Sequence, residues 1–255
     1  MKEIEQRANI HKNLQVIGFK IFADGVLEFP TQTAAISYPY VNSGKQGSLL
    51  VTPALLNRFV LFADRNHQLV HIHAIGDRAV SVSLEAFAMA RRQSRNSVMP
   101  HSITHLQIVK PGDFGKFQRL HVLPVMQLLW ATADRYTVEL VKPYLHPDLY
   151  QYHYPANALA NAGAIICGAS DWPVSSANPF EAMAIAETRK GDLGVLTPAQ
   201  RVDRTTMLKA YTTNAATAIL MEEAVGSIEP GKQADLIMVD RDVMRVDADS
   251  LAERG

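Results

Sequence analysis

Leu69-Val70-His71-Ile72-His73-Ala74-Ile75-Gly76-Asp77-Arg78-Ala79-Val80 reads as a buried strand that turns at a glycine into a helix. The run 69–73 has strand length and the β-branched bias of a sheet interior. Asp77 is then placed to cap a helix whose inner face is Val80, Leu84 and Phe87, with Arg91 and Arg92 at its negative end. The same alternation recurs along the chain. Residues 16–22, 101–107, 122–128 and 164–167 are predicted strands. Thr52-Pro53 predicts a capped helix start followed by Leu56, Phe59, Val60 and Ala63 at helical spacing, and Asn178-Pro179 and Thr197-Pro198 repeat that start. Strands separated by helices imply βαβ units and a parallel sheet, an α/β fold.

Bulk composition narrows the function classes. Twenty-five basic and twenty-five acidic residues cancel among 255, so the chain has no electrostatic footprint for nucleic acid or an anionic membrane. No apolar run reaches the roughly 20 residues that cross a bilayer. A single cysteine, Cys167, excludes an internal disulfide. With no apolar leader at the start, the expected setting is the cytoplasm. Gly226-Ser-Ile-Glu-Pro-Gly231-Lys232-Gln233 has the glycine spacing of a phosphate loop, but ends in Gln and leads into an apolar stretch, 236–239, read as a strand. A turn into a strand is the expectation there.

Four places carry side chains able to do chemistry. His71 and His73, two apart in a strand, share a face, and His73 lies nearer the C-terminal end, where parallel α/β folds gather their sites. A core histidine is the better reading of His71, and a metal ligand that of His73. In His101-Ser-Ile-Thr-His105-Leu-Gln107, alternation places His101, Ile103, His105 and Gln107 on one face, with His105 towards the C-terminal end. Asp171, in Gly168-Ala-Ser-Asp-Trp-Pro173, is either a metal-binding, proton-accepting carboxylate or an ordinary loop cap. Lys20, inside Gly18-Phe-Lys-Ile-Phe-Ala-Asp-Gly25, is either paired, exposed on an edge, or neutral and chemically used. The spacings fit a repeat of about 31 residues per βα unit. His73 and His105 are 32 residues apart, and His105 and Asp171 are 66 apart.

These stretches together resemble the metal-dependent amidohydrolase superfamily, in particular the branch of N-substituted formamide deformylases. The motifs are Phe19-Lys-Ile-Phe-Ala-Asp-Gly25, His73-Ala-Ile-Gly-Asp-Arg-Ala79, His105-Leu-Gln107, Gly168-Ala-Ser-Asp-Trp-Pro-Val174, Tyr211-Thr-Thr-Asn-Ala-Ala216 and Gly226-Ser-Ile-Glu-Pro-Gly-Lys-Gln-Ala-Asp-Leu236. The resemblance implies a (β/α)8 TIM barrel with a small β domain. By it, Lys20 is the fourth-strand lysine that becomes a carbamate between two metals. His73 and His105 are the fifth- and sixth-strand ligands, and Asp171 is the eighth-strand carboxylate. His71, Asp77 and Gln107 then support the site around those ligands. The family's first-strand His-x-His pair has no counterpart before Lys20, so the chain is read as strands four to eight, a partial barrel over 1–220, with 221–255 contributing to the small β domain. Ser102 and Thr104 stand where relatives often carry Arg and Glu.

The resemblance further implies a divalent metal, most of all zinc, as one or two ions in the complete enzyme. It implies hydrolysis of carbon–nitrogen bonds other than peptide bonds, in an amide or cyclic-amide small molecule. Metal-activated water attacks, and Asp171 serves as general base and then acid. Lacking the first His pair, this polypeptide alone is expected to bind metal weakly and hydrolyse little. Its unpaired sheet edge is expected to favour a homodimer or another association. The alternative is a non-catalytic truncated relative with a binding or regulatory role. A lactonase or phosphotriesterase is disfavoured by the tail motif. Residues 28–52 and 130–154 are the segments expected to set specificity; Trp130, Tyr136 and Tyr144 within them either line a pocket or, as aromatic residues in such loops more often do, simply pack.

Overall fold

A computed structural model of the protein describes residue 7 and residues 14–94 and 99–252. Five strands form one sheet: β1 (Gly18–Phe22), β2 (Leu69–Ala74), β3 (Ser102–His105), β4 (Leu123–Met126) and β5 (Cys167–Gly168). Their spatial order is their chain order, and every neighbouring pair is parallel. Parallel neighbours need a crossover, and helices supply it. These are α1 (Pro53–Arg65), α2 (Asp77–Ser94), α3 (Phe114–Leu120) and α4 (Ala156–Asn161), with a further single helical turn, Pro147–Tyr150, before α4. After β5 come α5 (Pro179–Thr188), α6 (Arg204–Tyr211) and α7 (Thr213–Ala218). The α/β reading with a parallel sheet is therefore what the structure shows. Among the described residues, no helix is long and apolar enough to cross a membrane.

The sheet has two unlike faces. Ile72 and Ile103 pair across β2 and β3 and are fully buried, with Val70 and Ala74, under the apolar stripes of α1 (Leu56, Val60, Ala63) and α2 (Val80, Leu84, Phe87). Each Ile, Val, Leu or Phe among them contributes about 1.5–3 kcal/mol by leaving water. The other face carries Lys20 opposite His71, Phe22 opposite His73, His71 opposite Ser102, and His73 opposite Thr104. Because all strands run the same way, their C-terminal ends form a single rim. Among the described residues, β1 and β5 each pair on one side only.

Thr52 caps α1 by accepting the Leu55 N–H, and Asn178 caps α5 by accepting from Phe180, as the Thr-Pro and Asn-Pro dipeptides predict. Three expectations are corrected. Thr197 starts only one 3-10 turn, Pro198–Gln200, because its hydroxyl is drawn away to Arg189 and the His153 carbonyl. Asp77 is the first residue of α2 rather than its cap, and its Oδ1 accepts the Ser37 N–H at 2.9 Å. Residues 236–239 form no strand: Ile237 and Met238 are 79% and 99% exposed, and no described strand lies alongside to pair their backbone. Apolar content makes a strand only where a partner completes the ladder.

One buried cation sits among oxygens alone. Arg189 is fully buried and donates to the carbonyls of Leu196, Tyr154 and His153 and to the Thr197 hydroxyl, tying three loop segments together.

Candidate metal centre

The turn from β2 into α2 is built around Asp24. This carboxylate is 1% exposed and accepts three backbone N–H groups at 2.9 Å each, from Ile75 to Oδ1 and from Gly76 and Ala35 to Oδ2. Burial pushes its pKa up to about 6, against the downward pull of those donors. Gly76 is required here because a Cβ on it would lie 2.1 Å from the Ala35 carbonyl oxygen. The rivet fixes the loop after β1 against the end of β2, and so fixes His73. The ring of His73 bonds through Nε2 to the Gly25 carbonyl at 3.0 Å, with Asp24 Oδ1 3.7 Å from the same nitrogen. Its Nδ1 is the nitrogen left for a ligand.

His105 reaches the same rim by a route that strand alternation does not predict. In register it lies opposite Ala74, whose side chain faces the helices. Yet its ring meets His73 edge-on, centroids 4.6 Å apart, and stacks parallel on Trp130 at 5.6 Å. The cause is local. His105 and Leu106 have φ of 76° and 52°, so the backbone leaves the pleat at this residue and turns the imidazole over the strand end. Left-handed backbone at a non-glycine residue costs of order 1–3 kcal/mol and concentrates at functional sites. The shared face expected for His101, Ile103, His105 and Gln107 is thereby corrected. Ile103 lies in the helix-side core. His101 is a satisfied structural residue that accepts the Val70 N–H, bonds Asp64 at 2.8 Å and stacks on Phe87.

The remaining residues fall into place around this pair. His71 is held by the Ser102 hydroxyl at 2.6 Å. Lys20 is exposed on the same face of the edge strand β1, with Nζ 5.4 Å from the Phe22 ring; partial desolvation lowers its pKa while Asp171 raises it. Asp171 stands on the exposed loop after β5 with φ 55°. It also raises the pKa of His73 against the larger effect of burial. Gln107 donates to Glu28 and contacts the buried His153, both at 3.1 Å, so it joins two loops at the rim. Asp77 supports the 35–37 loop instead of the imidazoles.

Electrostatics favours neutral rings. Burial first, then the positive field of Lys20, lowers His71 to about 4. Burial, then His73 and Lys20, lowers His105 to about 3. At neutral pH both present lone pairs, which is the form that binds a metal. Nitrogen and carboxylate donors of this kind suit zinc, iron and manganese. Among the described residues, no three His, Cys, Asp or Glu side chains come to metal-ligand spacing. The structure brings together the two imidazoles, with Lys20 acting on both through charge and Asp171 on His73. Asp24, the Gly25 carbonyl and Gln127, whose Oε1 lies 2.9 Å from Nδ1 of His105, support the pair without having been singled out from sequence. Asp24 had one legible signal, an acidic residue directly following an apolar strand. Gln127 had none.

The sequence pattern of the amidohydrolase family matches residues 1–255. Protein LONG AFTER FAR-RED 3 of Arabidopsis thaliana is 29% identical over 228 residues, 87% of this chain and 38% of that protein. An N-substituted formamide deformylase of Arthrobacter pascens is 30% identical over 174 residues, 67% of this chain and 31% of that one. Among solved structures, an uncharacterized metal-dependent hydrolase from Pyrococcus horikoshii superposes with a TM-score of 0.80 at 27% identity, covering 97% of this chain and 50% of that one. The corresponding protein of Pyrococcus furiosus gives 0.78 at 25%, covering 95% and 50%. The chain thus spans about a third of the length of these curated relatives and half that of these solved neighbours.

Proposed function

The chain belongs to the amidohydrolase family, and on that premise we propose that its rim is part of a divalent-metal site, most of all for zinc, that hydrolyses carbon–nitrogen bonds other than peptide bonds in amide or cyclic-amide small molecules. The observation that carries the proposal is the His73–His105 pair. Two neutral imidazoles meet at one rim, each anchored through one nitrogen, at Gly25 and at Gln127, with the other nitrogen left for a cation. Lys20 and Asp171 complete the donor set in this reading. A bound cation supplies Lewis acidity and lowers the pKa of water there.

The protein's own groups supply the rest. Asp171, on an open loop, accepts a proton from the attacking water and returns it to the departing nitrogen. Lys20, with its pKa lowered, has a larger share of the neutral amine that carboxylation by carbon dioxide requires. Phe22 and Trp130 flank the imidazoles with apolar surface and exclude water from their ring faces.

In the same reading the five strands are the fourth to eighth of a (β/α)8 barrel, and residues 221–255 belong to a small β domain. Support comes from the half-length superposition and from the sheet face that bears the histidines. That face borders a hollow of about 560 Å³ lined in part by Gly18, Leu69, His71, Ser102, Val125 and Cys167. Further strands, from other polypeptide or from a second copy, would fill it and pair the edges of β1 and β5.

The test is zinc binding by the chelator-stripped chain, read by competition with a chromophoric chelator. Turnover of formamide, linear-amide and cyclic-amide panels is measured alongside. The expected result is uptake that weakens at least about 10-fold in His73→Ala and in His105→Ala. Uptake equal to wild type in both variants would refute the proposal.

A further inference from the structure

Ser102 and Thr104 precede His105 on β3, and both have partners. Ser102 bonds His71. Thr104, 1% exposed, faces Gln127, which directly follows β4 and is 2% exposed. Gln127 makes two side-chain bonds. Its Nε2 donates to the Thr104 hydroxyl oxygen at 3.2 Å, and its Oε1 lies 2.9 Å from Nδ1 of His105. An amide is not symmetric: its oxygen only accepts and its nitrogen only donates. With the NH2 end committed to Thr104, the oxygen faces the ring, so Nδ1 must be the nitrogen carrying hydrogen. Trp130, stacked within 7° of parallel, fixes the plane in which the other nitrogen points.

We propose that Gln127, seated on Thr104, is a positioning residue that holds His105 in its Nδ1–H tautomer and aims the bare Nε2 at the rim. The tautomer claim stands on these hydrogen bonds alone, and its consequence for metal binding rests on the function proposed above. A ligating imidazole is commonly oriented through its second nitrogen by a carboxylate or carbonyl, and losing that partner costs about 10–100-fold in metal affinity. Here a strand-end glutamine performs that task, with its NH2 end seated on the Thr104 hydroxyl oxygen. The reversed amide would put N–H against Nδ1 and drive the proton to Nε2, leaving no lone pair for a cation.

Long-range proton–nitrogen correlation NMR on metal-free chain with 15N-labelled histidine rings separates the two cases near pH 7.5, with His105 assigned by its loss in His105→Ala. Wild type is expected to show Nδ1 protonated and Nε2 bare. Gln127→Leu loses that preference. Gln127→Glu keeps it, because a carboxylate accepts from Nδ1–H and from the Thr104 hydroxyl. Zinc affinity is expected to fall about 10–100-fold in Gln127→Leu and to recover most of that in Gln127→Glu. Retention of the wild-type melting profile confirms that each variant is folded. An Nε2–H ring in wild type, or an unchanged tautomer in Gln127→Leu, overturns the proposal. A tautomer that shifts as expected while zinc affinity stays constant upholds the hydrogen-bond assignment and refutes His105 as a ligand.

Discussion

Replacing Asp24 by alanine should be among the most damaging single changes away from the apolar core. The carboxylate is the acceptor for the N–H groups of Ile75, Gly76 and Ala35, all in buried residues. Each buried donor left without a partner costs about 1–3 kcal/mol, so three give roughly 3–9 kcal/mol. Against this, burial raises the Asp24 pKa from 3.8 to about 6. At pH 7 the ionised wild type therefore carries a penalty of about 3 kcal/mol, at about 1.4 kcal/mol per pK unit, which alanine relieves. The middle of the range leaves a net loss of about 3 kcal/mol. For a domain of this size that corresponds to about 6–12 °C in Tm. Urea unfolding of wild type and Asp24→Ala at pH 7, with equal m-values, is the assay. Asp24→Asn should also lose stability, because one of its two ends is a donor that meets a backbone N–H. A loss below about 1 kcal/mol in Asp24→Ala would refute the view that this side chain holds the 35, 75 and 76 backbone together.

Further outcomes follow from charge. Asp171 raises the pKa of Lys20, so Asp171→Asn should lower it further and speed the reaction of Lys20 with an amine-selective reagent at neutral pH. An unchanged modification rate, read by mass spectrometry, would separate the two residues. Stability should fall as the solution is acidified from pH 6.5. His153 is fully buried with its pKa lowered to about 3 by burial and then by Arg189, and His101 shifts the same way. Below 6.5 the unfolded chain takes up protons that the folded chain refuses, so stability present above that pH is lost on the way down to about 3. Each such histidine contributes a slope of about 1.4 kcal/mol per pH unit. Asp24 opposes it between about 6 and 3.8, because its raised pKa favours the folded state as protons bind. His153→Phe should flatten the urea-derived stability curve between pH 6 and 4, and an unaltered slope would contradict the burial argument.

Much of this protein was legible without coordinates because the signals are local. The apolar runs read at 16–22 and 69–73, which hold the strands Gly18–Phe22 and most of Leu69–Ala74, the Thr52-Pro53 and Asn178-Pro179 starts and the inner face of α2 follow from side-chain period and capping chemistry, which depend on residues within a turn or two of each other. Sequence also nominated His73 and His105 by their places near strand ends. What it could not decide was direction. Alternation put His105 on a face with His101 and Ile103, and only the left-handed backbone at His105 and Leu106, imposed where the strand meets its loop, turns that ring onto His73. Nor could it reveal partners far apart in the chain. Asp24 reaches the backbone of residues 35, 75 and 76, Gln127 reaches His105 from the end of the next strand, and residues 236–239 stay exposed, with no strand among the described residues to pair with. Local periodicity determined which elements exist. The meeting of distant side chains, which depends on how those elements pack, decided what stands at the rim.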